Sequence, residues 1–164
     1  MPRSRLLVVL ACAALMACQA PSMTRSDALR YQQELDGRVE TWARLMNNAR
    51  IDSLLAMYEQ SPTLVVMRGN GSRSRGIDQE EEQLRAFYRD IQYMNFVMQS
   101  PTTELLSADV ALTTFGHSTD VVGADNRRRP VVAGRGTIVW MRDAEEDVWK
   151  IHLLHISTNE RSAN

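Results

Sequence analysis

Cysteine is almost missing from this 164-residue chain: the only two, Cys12 and Cys18, fall within the first eighteen residues. The remainder therefore has no disulfide and no thiolate metal site, and a zinc site would need other ligands. A chain of this length buries enough surface to hold one domain by its core alone. A surplus of positive charge is also missing. The formal net charge is −1, and without Arg3 and Arg5 the rest has 17 basic against 20 acidic residues, or −3 with histidines neutral. Phosphate binding needs the opposite balance, so nucleic acid is not an expected partner. The local exception is "DNRRRP", Asp125 to Pro130, and three arginines in a polar turn read as a solvated hairpin tip. The Gly-rich stretch "RGNGSRSRG" lacks the lysine and the apolar helix start of a phosphate loop. There is no internal repeat and no low-complexity segment.

Long apolar runs are missing too, apart from Leu6 to Cys18 in "MPRSRLLVVLACAALMAC". That run is too short to cross a bilayer as a helix. A basic start, an apolar middle and a small-residue end form the pattern of a secretory signal peptide. Its close, "LMAC", resembles the bacterial lipobox. The resemblance implies a signal peptide at 1–17, a lipidated Cys18 with its tether at 18–25, and acyl chains that anchor the protein without spanning the membrane. Ordinary secretion is the alternative. Gln19 stands where an inner-membrane retention signal would have aspartate, which favours the outer membrane, facing the periplasm. Membrane lipid, through Cys18, is then one expected partner.

Downstream, apolar residues recur at Tyr31, Leu35, Val39, Trp42 and Met46, which predicts a helix from near Ser26 to just before Asn47 and Asn48. A short helix is expected from Asp52, whose side chain can cap it, to before Pro62. "TLVVMR" predicts a strand over Thr63 to Arg68. A third helix follows, opening with Asp78 and Glu81 in capping-box spacing and burying Leu84, Phe87, Tyr88 and Ile91. From Tyr93 the period changes to two, in four segments separated by turn signals at "SPTT", "GADNRRR" and "DAEED". Helices first and an antiparallel meander last predict an α+β domain over residues 26–159, followed by a tail at 160–164.

Trp42, "IDSLLAMY", "RGIDQEEEQLRAFY", "ADVALTTFGHST" and "GTIVWMRDAEEDVWKIHLLHIS" together resemble the nuclear transport factor 2-like superfamily, and within it the SnoaL-like branch. The last stretch is the most specific, being similar to the tryptophan, histidine and serine ending of many SnoaL-like proteins and of the association domain of calcium/calmodulin-dependent kinase II. The resemblance implies a cone-shaped fold, with a bent sheet wrapped around helices, a pocket at the open end and often a homodimer across the sheet's outer face. Members commonly have aspartate shortly after the second helix's tyrosine. This chain has Glu59, Gln60 and Ser61 there.

The chemistry-bearing groups are few. Strict alternation in "VWKIHLLHIST" puts Trp149, Ile151, Leu153, His155 and Ser157 on one face and Lys150, His152, Leu154 and Ile156 on the other. The two histidines then cannot share a metal site, and His155 is expected to face the pocket. Beside it would stand either Arg135, Thr137 and Val139 or Gly136, Ile138 and Trp140, because a one-residue slip exchanges the two sets. His117 is expected to approach His155 across the intervening strand. The predicted pocket contains Trp42, Tyr58, His117, Trp140 and His155. No carboxylate occupies an interior strand position, which disfavours the carboxylate chemistry of ketosteroid isomerase and scytalone dehydratase, enzymes of the same fold. No metal and no cofactor are expected. The leading expectation is a non-catalytic protein whose pocket binds a small, mostly apolar molecule or whose sheet dimerises. The alternative is a lyase, isomerase or hydrolase using His117 or His155 as general base.

Overall fold

The computed structural model describes residues 23–159. The predicted signal peptide, the lipidation site Cys18 and the tail at 160–164 lie outside them. The first helix, α1 (Arg25–Asn47), starts where Thr24 Oγ1 accepts the main-chain N–H of Asp27. Its buried stripe is Tyr31, Leu35, Val39, Trp42 and Leu45, as the helical period requires. Met46, one residue past the end of that stripe, is only partly buried. The short α2 (Ile51–Leu55) has no side-chain cap. Asp52, expected to cap it, instead pairs with Arg85 at 2.6 Å.

After α2 come a three-residue strand, β1 (Val65–Met67), and a second, β2 (Arg73–Arg75), which lies within the Gly-rich stretch "RGNGSRSRG". They form a hairpin. Helix α3 (Ile77–Arg89) follows Gly76, whose φ of +80° suits glycine, and no side chain caps it. The expected capping box is not formed: Glu81 pairs with Arg85 at 2.8 Å, and Phe87, expected inside, stays exposed.

The long strands are β3 (Ile91–Leu105), β4 (Val110–Gly123), β5 (Val132–Asp143) and β6 (Val148–Thr158). The described sheet has the order β2-β1-β6-β5-β4-β3, with β1 parallel to β6 and all other pairs antiparallel. The meander is therefore as expected, but it is extended at one side by the early hairpin. "SPTT" is no turn. Strand β3 runs through it with a register shift between Gln99 and Thr102, where Ser100 has φ +46°. Pro101 lies within that irregularity of an edge strand, where a residue without an N–H is tolerated.

A second irregularity matters more. Val139 pairs with Leu153 but Trp140 pairs with Ile151, so His152 is an extra residue in β6. A bulge reverses the alternation beyond it. Trp149 and Ile151 face the helices before the bulge, and Leu154 and Ile156 do so after it. His155 is thereby turned to the outer face, opposite Thr137, and is exposed. The expectation that His155 shares the Trp149 face fails for this reason. The core between helices and sheet is dominated by Trp42, Trp140, Trp149 and Tyr58, all essentially without exposed surface.

Candidate functional site

A cavity of about 350 Å³ opens between the ends of α1 and α3 and the inner face of the sheet. Its wall is mainly apolar: Met46 from α1, Leu84 and Phe87 from α3, Met94 and Phe96 from β3, and Leu154 and Ile156 from β6 all contribute. Its polar groups include Tyr58, Arg68, Glu80, His117 and Arg129, with Asn70, Thr119 and Thr158 beside them.

Tyr58 sits just beyond α2, where main-chain hydrogen bonds of its neighbours to Ile151 hold the segment against β6. Trp42 Nε1 donates to the Tyr58 hydroxyl at 3.2 Å. No described residue accepts the hydroxyl proton in return, so a buried O–H donor stands at the cavity wall. Burial and the nearby negative charge of Glu80 push the phenol well above its ordinary value, so it acts as a donor and not as a phenolate.

Glu80 has no exposed surface. Arg68 Nη2 lies 2.5 and 2.6 Å from its two carboxylate oxygens, and Arg68 Nη1 donates to Ser74 Oγ at 3.1 Å and to Gln83 Oε1 at 2.9 Å. The guanidinium thus compensates the buried charge and is itself held on three sides. A carboxylate does reach the pocket, then, but from a helix and already paired.

His117 is 2 % exposed and stacks on Phe96, with centroids 5.3 Å apart. Its Nε2 lies 3.0 Å from the main-chain oxygen of Ser157. A carbonyl only accepts, so Nε2 carries the proton in this bond and Nδ1 is the nitrogen left to a ligand, with Thr119 Oγ1 at 3.4 Å. The ring reaches across β5 because residue 134 is glycine. A β-carbon there would lie 2.8 Å from His117 Nε2 and closer still to the Ser157 oxygen.

Of the five residues predicted for the pocket, Tyr58 and His117 line the cavity. Trp42 is buried behind Tyr58, and Trp140 lies deeper, donating to Thr113 Oγ1 at 2.8 Å. His155 is on the other side of the sheet, so it does not meet His117. His152, at the bulge, has Nδ1 2.5 Å from Glu59 Oε2 and lines no part of the cavity. Among the described residues no group of three or more His, Cys, Asp or Glu could hold a metal.

The sequence reading missed Glu80 and Arg68, although the signal was present. Glu80 lies four residues before Leu84 on the apolar face of α3, and Arg68 continues the alternation Leu64, Val66.

No family model matches this sequence, and no curated protein matches it. Solved structures do. A nuclear transport factor 2-like superfamily protein from Salmonella enterica is similar with a TM-score of 0.73 at 17% identity, covering 82% of this chain and 95% of that one. A hexachlorocyclohexane dehydrochlorinase, LinA-type3, from Novosphingobium barchaimii gives 0.71 at 12% identity, over 83% and 91%. An uncharacterized protein with a cystatin-like fold from Caulobacter vibrioides gives 0.67 at 17% identity, over 80% and 92%. Identities this low speak for architecture alone, and the architecture is the nuclear transport factor 2-like cone, its sheet bent over the helices but not closed into a barrel.

Proposed function

We propose that this chain is a lipid-anchored protein of the bacterial cell envelope whose cavity binds a small, mostly apolar molecule without transforming it. The observation that carries this reading is the state of the polar groups in a predominantly apolar wall. Glu80 is taken by Arg68 and His117 Nε2 by Ser157, while the Tyr58 hydroxyl keeps a proton to donate. Such a wall suits an apolar body with one acceptor oxygen. Its volume is at the small end of the range of about 300–1,000 Å³ usual for ligand pockets. The anchor rests on the lipobox at Cys18. A homodimer across the outer sheet face, where Val97 and Met141 are exposed, completes the proposal.

A second reading has one observation in its favour. Nδ1 of His117 is restrained only by a long contact to Thr119, which leaves it able to take a proton in lyase, isomerase or hydrolase chemistry. The dehydrochlorinase among the similar structures uses the same fold. Native mass spectrometry of the full chain carrying Cys18→Ser, isolated from the periplasm, tests the choice. A co-purified apolar ligand released unchanged after long incubation supports binding. Conversion of that ligand, abolished by His117→Gln, would establish the enzyme instead.

A further inference from the structure

The charges lining the cavity do not cancel. Arg68 and Glu80 neutralise each other at 2.5–2.6 Å. Arg129 remains, at the mouth beside Pro130 and Val132. Its two neighbours in the arginine cluster have carboxylates: Arg127 lies 3.8 Å from Asp125, and Arg128 is bound by Asp120. Among the described residues no carboxylate oxygen lies within ion-pair distance of Arg129. Its Nη2 has only the main-chain oxygen of Asp90, at 3.4 Å. Asp125 leans over the same Gly123 as the Arg129 guanidinium, but spends its oxygens on the N–H and side chain of Arg127.

The placement follows from the hairpin register. Arg129 N–H bonds the Val121 oxygen, at 2.9 Å, beside an isolated bridge between Val122 and Arg128, so it lies opposite Val121, and both residues line the cavity. Arg128, one residue away, turns with Asp120 to the outside. Three consecutive arginines are thereby sorted into two that fasten the hairpin and one that faces the pocket.

Resting on the cavity being a ligand site, we infer that its ligand is an amphipathic monoanion, a small organic acid whose apolar body fills the cavity and whose carboxylate lies against Arg129 at the mouth. One uncompensated guanidinium over an apolar chamber matches one negative charge on an apolar body. Because Arg129 is exposed, the carboxylate adds a modest factor and the apolar body supplies most of the affinity.

The test is a calorimetric titration of the full chain carrying Cys18→Ser with octanoate, octan-1-ol and octan-1-amine, which share one tail. Octanoate is expected to bind about three- to tenfold more tightly than the alcohol, with the amine weakest. Added salt should erode the octanoate advantage and leave the alcohol unchanged. Arg129→Gln should abolish the advantage, while Arg128→Gln should keep it. Equal affinity for acid and alcohol, or octanoate binding unchanged in Arg129→Gln, would overturn the inference and leave the apolar cavity reading standing. Failure of all three probes to bind would overturn both.

Discussion

Breaking the Arg68–Glu80 pair from its two ends should have unequal costs. Glu80 has no exposed surface, whereas the Arg68 side chain keeps 23 % of its own and has Ser74 and Gln83 as further partners. Arg68→Met strands a carboxylate in the wall with no cation, at a cost of about 3–5 kcal/mol. Glu80→Gln keeps an acceptor oxygen for the guanidinium, and the charge it leaves without a counter-ion belongs to the partly exposed member, still hydrogen-bonded to Ser74 and Gln83, so the cost is smaller, about 1.5–3 kcal/mol. Replacing both, as Arg68→Met with Glu80→Leu, removes the desolvation cost together with the attraction and should return stability to within about 1 kcal/mol of the parent. Urea unfolding of the full chain and the three variants, with Cys18→Ser throughout, measures each difference. A domain of this size has about 5–15 kcal/mol in total, so the worst variant should still fold, with a far lower midpoint. If Arg68→Met costs no more than Glu80→Gln, the burial asymmetry does not govern the pair and the reasoning fails.

Gly134→Ala should push a methyl group against His117 and the Ser157 carbonyl, destabilising the domain by about 1–3 kcal/mol or more and disturbing the cavity, read by thermal unfolding and by the His117 ring signals in NMR. His117→Ala should cost about 1–3 kcal/mol through the lost Ser157 bond, while the outward His155→Ala stays within about 0.5 kcal/mol; the reverse order in thermal unfolding would mean that β6 has the other face inward. Cys18→Ser should move the protein from the membrane fraction to the soluble one, and unchanged fractionation would refute the lipid anchor.

The fold was largely legible because its signals are local and repeated. The stripe from Tyr31 to Trp42 and the period-two segments after Tyr93 each state an element several times over, and the structure has those elements, with β3 carried on through "SPTT" to Leu105. Short elements were less visible. β2 is three residues of arginine and serine, and it exists because β1 offers a ladder edge beside it, not because of its own propensity. Capping failed for a similar reason. Asp52 and Glu81 had local capping partners on paper, but Arg85 lies between them in space and takes both carboxylates.

For the candidate site, sequence alone identified the residue types of the wall and two of the five predicted members, Tyr58 and His117, which sit in strongly patterned segments. It also contained, in the i, i+4 relation of Glu80 to Leu84, the sign that a carboxylate faces inward. What it could not contain is a bulge. An extra residue at His152 leaves composition and hydrophobicity almost unchanged but reverses every side chain after it, moving His155 out and Leu154 and Ile156 in. The slip falls where Trp140 pairs with Ile151, both without exposed surface, so it belongs to the pairing and packing of two strands and not to the period of either one. Local periodicity therefore determined which elements form, while the close-packed interior decided which face of β6 meets the cavity and which of three arginines stands at its mouth.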